Sequence, residues 1–126
     1  MKRSEIPRLP DAELAVMQAL WDCPVPADRT MLASRLSKSR PMAPTTLLTL
    51  LSRLAERGCI EIEKRGRQSV YTPKLSRHDY LAARSGSFVR QVCAGSLSDF
   101  AAALCDSGLT KEELAALRQL LEDAEA

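Results

Sequence analysis

Between Pro41 and Gly58 the chain carries Thr45, Thr46, Thr49 and Ser52, with Leu48 among them and Arg53 at the flank. Hydroxyls both donate and accept hydrogen bonds, a guanidinium forks onto phosphate or carboxylate, and an exposed leucine offers apolar contact alone. A little further on stands Lys64-Arg65-Gly66-Arg67, three cations around one glycine. Neither group sets a nucleophile beside a base, as covalent catalysis requires. The only histidine, His78, lies at a helix start away from any candidate nucleophile and reads as a solvated or capping residue. The chemistry on offer is therefore non-covalent, hydrogen bonding and charge pairing, and no enzyme is expected.

The remaining reactive side chains are Cys23, Cys59, Cys93 and Cys105, which are isolated and form no C-x-x-C pair. Zinc spacing is absent and a disulfide framework is not expected in a chain of 126 residues. They read as buried, inert thiols, since free cysteine behaves as a small hydrophobe. The alternative is a redox- or metal-responsive regulator in which Cys93 and Cys105 approach each other, or each other's copies in a dimer. No cofactor and no metal is expected.

The hydroxyl group must be positioned by a helix. Pro44 suits a first helical turn, where a missing N–H costs nothing. Leu47, Leu50, Leu51 and Leu54 recur at i, i+3, i+4 and i+7 and form one apolar face. Gly58 stands where a C-terminal glycine belongs, with Arg57 in the last turn to meet the helix dipole. The opposite face is short, hydroxylated and free of carboxylates. A face of that kind suits close approach to another surface.

Two helices precede this one. Asp11 reads as an N-cap before a helix whose Leu14, Met17, Leu20 and Trp21 face inward, with Trp21 as a core anchor. A second helix spans about Arg29–Lys38 and buries Met31, Leu32 and Leu36. The polar leader, residues 1–10, is expected to be ordered only near its end. After Gly58 the period changes to two: Ile60 and Ile62 point one way, Glu61 and Glu63 the other. Arg65-Gly66 signals a turn, and Gln68–Tyr71 reads as a return strand closed by Pro73. The basic cluster thus occupies a hairpin tip.

Charge is divided between the halves. Residues 1–75 carry 13 Lys/Arg against 8 Asp/Glu, a net of +5, and residues 76–126 carry 5 against 8, a net of −3. A basic module that meets a polyanion and an acidic module with another task are implied. Three helices followed by a basic hairpin make a winged helix-turn-helix. Its third helix enters the major groove of double-stranded DNA and its hairpin reaches the backbone or the neighbouring minor groove. The candidate DNA-binding residues are Pro44, Thr45, Thr46, Leu48, Thr49, Ser52 and Arg53 of the helix, residues 43–57, with Lys64, Arg65 and Arg67 of the wing. Leu48 could pack on a thymine methyl. The competing function is a winged helix used as a protein-interaction module, which would not need a basic tip beside a carboxylate-free helix face.

The second half opens with Ser76-Arg77-His78-Asp79, an N-cap pattern, before a helix of about 15 to 18 residues. Gly95 interrupts it, a shorter helix ends at Gly108, and Thr110-Lys111-Glu112-Glu113 is a capping box for a last leucine-striped helix. Three amphipathic helices in about 50 residues bury little alone. The reading is a dimerisation module, with Leu81, Phe88, Val92, Leu97, Phe100, Leu104, Leu114, Leu117 and Leu121 packing on a second copy. The organisation expected is a mainly α chain with a β-hairpin wing. A winged-helix DNA-binding domain at 1–75 precedes a helical dimerisation domain at 76–126. The N-terminal MKRSEIPRLPD has no apolar h-region and no 18-residue apolar run exists, so no membrane partner and a cytoplasmic location are expected.

The motifs together resemble the penicillinase-repressor family of transcription regulators, the BlaI/MecI/CopY group. The resemblance runs almost end to end. It is carried by Glu13-Leu14-Ala15-Val16-Met17 with Leu20-Trp21, by Thr46 and Thr49-Leu50-Leu51-Ser52-Arg53-Leu54 with Arg57-Gly58, by Val70-Tyr71-Thr72-Pro73, and by Gly95-Ser96-Leu97. It implies a homodimeric repressor on a short inverted repeat, usually with TACA/TGTA half-sites. In many members it also implies release by proteolysis in the C-terminal region once a membrane sensor detects a β-lactam. Three departures stand out. Leu48 occupies a position that is usually Lys or Arg. Phe100-Ala101-Ala102-Ala103-Leu104 replaces a cleavage segment with an Asn-Phe pair. The C-x-C…C-x-C tail of copper-responsive members is missing.

Overall fold

The computed structural model describes residues 2–125. After a 3-10 turn at Arg3–Glu5 come α1 (Asp11–Asp22), β1 (Ala27–Asp28), α2 (Arg29–Leu36), α3 (Pro44–Glu56), β2 (Ile60–Arg65) and β3 (Gln68–Pro73). Then follow α4 (Arg77–Gln91), α5 (Leu97–Asp106) and α6 (Lys111–Glu125). The chain forms two compact units, one ending at Arg84 and the other beginning at Ser85, with the division inside α4.

In the first unit α3 is the most sharply punctuated element. Pro44 occupies its first turn, and Leu47, Leu50, Leu51 and Leu54 are all buried along one face. At its end Gly58 takes φ +81°, the left-handed conformation that a Cβ disfavours. Gly58 N–H then bonds Ala55 O at 3.0 Å and Cys59 N–H bonds Leu54 O at 2.9 Å, a Schellman closure. Cys59 and Leu54 are both buried, which adds the apolar contact usual at such an end. Truncating any of the four leucines to alanine costs about 2–5 kcal/mol on the usual scale for core sites.

Helix α1 supplies Val16, Met17, Ala19 and Leu20 to the same core, and α2 supplies Leu32 and Leu36. Asp11 is the first residue of α1 rather than its cap, which is Pro10; its carboxylate still favours the positive end of the helix. Trp21 is only partly buried, and its indole N–H donates to Leu75 O at 2.9 Å. The leader is more than a tail. Ile6 and Leu9 are buried, and Leu9 N–H donates to the Tyr80 hydroxyl at 3.0 Å, which draws the first turn of α4 into this unit.

The sheet is antiparallel and three-stranded, in the order β1-β3-β2. Its hairpin pairs Ile60 with Pro73 through Arg65 with Gln68, and Gly66 at φ +65° opens the two-residue turn. The third strand, β1, was not legible in the sequence. It is two residues long, Ala27 opposite Tyr71 and Asp28 opposite Val70. Ile60 is buried, whereas Ile62, two residues along on the same face, is 41% exposed because the hairpin projects past the core.

The second unit is built from helices with well-made ends. Ser96 Oγ accepts the Asp99 N–H at 3.1 Å and caps α5. The capping box at α6 is complete, with Thr110 N–H to Glu113 Oε1 at 2.9 Å and Glu113 N–H to Thr110 Oγ1 at 3.1 Å. Phe88 and Phe100 meet edge to face with ring centroids 5.9 Å apart. No described residue of this unit is buried.

Candidate nucleic-acid interface

The exposed face of α3 is laid out by its core face. With Leu47, Leu50, Leu51 and Leu54 pinned inward, Thr45, Thr46, Leu48, Thr49, Ser52 and Arg53 are all exposed. Ala43, at the N-cap, provides no side-chain cap, and Pro44 contributes no N–H. The amino end of α3 therefore presents backbone N–H groups and a positive dipole end to whatever approaches, as anion contacts require. The first turn of α3 contains no acidic residue.

Two concavities divide this face. One, of about 290 Å3, is shallow and lined by Thr45, Thr46, Thr49, Leu50 and Arg53. The other, of about 310 Å3, lies between helix and wing and is lined by Arg29, Thr30, Leu48, Arg67, Gln68, Ser69 and Tyr71. The structure thus brings Leu48 and Arg67 to one hollow, and the threonines and Arg53 to its neighbour. Pro44 lines a separate hollow with Arg29, Thr30 and Met42. Ser52, Lys64 and Arg65 are exposed without lining either concavity. Arg65 Nη2 lies 3.5 Å from Glu63 Oε2, so one wing cation is partly neutralised by its own strand.

Arg29 and Thr30 were missed by sequence reasoning, which treated the second helix as a support. The signal was there: a cation and a hydroxyl stand at the first two positions of α2, directly after its cap Asp28. Thr49 also carries an unforeseen constraint. Its hydroxyl donates to Thr45 O at 3.0 Å, so the proton is engaged within the helix and the free lone pairs point outward as acceptors.

Arg57, expected to serve the helix dipole, instead reaches Glu13 on α1, with Nε to Oε1 at 2.8 Å and Nη2 to Oε2 at 3.3 Å. Glu13 is 2% exposed and Arg57 37%. This bond holds the guanidinium above even its ordinary high pKa. Among the cysteines, Cys23 and Cys59 are buried, and burial raises both thiols and keeps them protonated. Cys93 is half-buried and Cys105 exposed, contrary to the expectation that all four are buried; each lies in the unit that lacks a closed core. His78 is exposed in the first turn of α4. Among the described residues, no three His, Cys, Asp or Glu side chains gather as a metal site would need, and no helix is long and apolar enough to cross a membrane.

The chain matches the family described as Penicillinase repressor over residues 9–123. It is 33% identical to the penicillinase repressor of Bacillus licheniformis over 120 residues, 94% of this chain and 93% of that protein. It is also 33% identical to the transcriptional regulator BlaI of Mycobacterium tuberculosis over 79 residues, 63% of this chain and 57% of that one. The solution structure of the DNA-binding domain of the repressor BlaI is similar at a TM-score of 0.52 and 37% identity, covering 60% of this chain and 90% of that one. A solution structure of the B. licheniformis BlaI monomeric form in complex with the blaP half-operator gives 0.50 at the same identity and coverage.

Proposed function

This chain belongs to the penicillinase repressor family, whose members are transcriptional repressors and not enzymes, and from that premise we propose that it acts as a homodimer on an inverted-repeat operator. Each copy lays α3 in a major groove and reaches the adjoining backbone with the wing. Arg53, Lys64, Arg65 and Arg67 contact phosphates, and Thr45, Thr46, Thr49 and Ser52 bond phosphates or base edges. Leu48 packs against an apolar base edge, a thymine methyl being the fitting one. Repression follows when the bound dimer occludes the operator.

The observation that carries this reading is the exposed face of α3. It has no carboxylate from Pro44 to Ala55, and it lies beside a hollow whose rim carries Arg29 and Arg67. A protein-binding helix has no reason to exclude acidic residues, whereas a helix facing phosphates loses affinity for each one it carries.

Support for the homodimer is the state of the second unit. Val92, Leu97, Leu120 and Leu121 are each more than 60% exposed, and Phe88 is exposed as well. Exposed apolar side chains at this density mark an interface. Two tethered readers then bind as one, each raising the effective concentration of the other. Induction acts on this tether. A sensor-activated protease that cut the second unit would remove the helices joining the copies, and each half would leave its half-site independently.

Selection of duplexes from a random pool by the full chain tests the reading. Enrichment of an inverted repeat is expected. Enrichment of a single asymmetric site, or of none, would refute it.

A further inference from the structure

Asp28 stands where three elements meet. Its Oδ1 accepts the Met31 N–H at 2.9 Å and caps α2, while its Oδ2 accepts the Gln68 side-chain N–H at 2.8 Å. Its backbone lies opposite Val70 in the β1–β3 ladder. Gln68 is the first residue of β3 and follows Arg67 directly, so the second bond takes hold of the wing at its tip. Arg67 and Gln68 line the hollow whose opposite side includes Leu48 of α3.

We propose that Asp28 is a positioning residue for DNA binding. Its single carboxylate ties the wing to the amino end of α2 and thereby sets the spacing between Arg67 and the recognition helix. The proposal rests on the reading of α3 and the wing as the DNA-binding surface. Its physical basis is the weakness of everything else that holds the tip. A two-stranded hairpin is marginal alone, β1 adds only two residues of ladder, and all of β2 after Ile60 is exposed. A tip held at its base alone would lose more conformational freedom on binding, and its cations would contribute less. A hydrogen bond to a carboxylate is the stronger kind, which suits a site where one bond must serve.

The cap and the tie are separable. Asp28→Ser keeps an N-cap acceptor but is too short to reach Gln68. Gln68→Ala leaves the cap untouched. Asp28→Asn restores both bonds, because asparagine caps and the Gln68 amide turns to accept from it.

In the free full-length protein, amide exchange at Ser69 and Val70 and the order parameters of Gly66 and Arg67 read the tie without DNA. Exchange about threefold to tenfold faster is expected in D28S and Q68A, with D28N between these and wild type because its bond to Gln68 is neutral. On a selected duplex, Arg67→Ala should weaken binding severalfold in the wild-type background and clearly less in the Q68A background. Wild-type exchange in both D28S and Q68A would overturn the proposal. So would an Arg67→Ala effect of equal size in the two backgrounds. If Arg67→Ala leaves wild-type affinity unchanged, the reading of the wing as a DNA contact fails, and amide exchange alone decides the tie.

Discussion

Arg57 and Glu13 are joined by two hydrogen bonds, 2.8 and 3.3 Å long, which fasten the end of α3 to the start of α1. The carboxylate is fully buried and the guanidinium only partly, so the pair is asymmetric. Removing the arginine strands a buried charge, whereas neutralising the glutamate strands a group that water can reach. Arg57→Ala should therefore cost about 2–3 kcal/mol, below the range for a fully buried pair, and Glu13→Gln clearly less. The double variant should recover part of the Arg57→Ala loss. Urea denaturation measures all three, and a Glu13→Gln loss as large as that of Arg57→Ala would contradict the asymmetry.

Arg53 and Arg67 lie at the two ends of the proposed contact surface, one in the threonine groove and one on the wing. Arg53→Ala and Arg67→Ala should each weaken binding across sequences and lower the salt slope by about 1. Glu63→Gln should act in the opposite sense, because it frees Arg65 from its 3.5 Å neighbour. Affinities measured at several salt concentrations check this, and an unchanged slope in either arginine variant removes that residue from the phosphate contacts.

Thr49 should affect which sequence is bound. With its proton held by Thr45 O, the hydroxyl would meet DNA as an acceptor and favour an amino edge, adenine N6 or cytosine N4. Thr49→Ala is expected to relax preference at one position of each half-site by about 1 kcal/mol, the lower end for a base contact. Comparison across single-base variants of the duplex decides the matter. A uniform loss over all of them would mean that Thr49 only positions the helix.

Leu117 is half-buried on α6, on the stripe it shares with Leu114. Leu117→Asp should give monomers in sedimentation while the first unit keeps its fold, since none of its core residues belongs to α6. A variant that remains dimeric would place the interface elsewhere.

What the sequence made legible follows the range of the interactions. The boundaries of α3, the hairpin turn at Gly66 and the capping box at Thr110 are local patterns, and each appears where its residues predict. The features that escaped are long-range. β1 exists only because β3 lies beside it, and Ile6 and Leu9 have no period to announce their burial. Glu13 and Arg57 are 44 residues apart and meet only in the fold. The DNA-facing candidates on α3 were readable because an apolar face fixes its own opposite. Arg29 and Thr30 were not, because their place beside Leu48 and Arg67 depends on how α2, α3 and the wing come together.

The most direct measurement is a map of backbone amide shifts in the full-length protein as a selected duplex is added. The largest changes are expected at Thr45–Arg53, at Lys64–Arg67 and at Arg29–Thr30, with the far side of α1 unmoved. Changes concentrated instead around Leu14, Gln18, Lys38 and Arg77, on the groove beside α1 and α4, would contradict it.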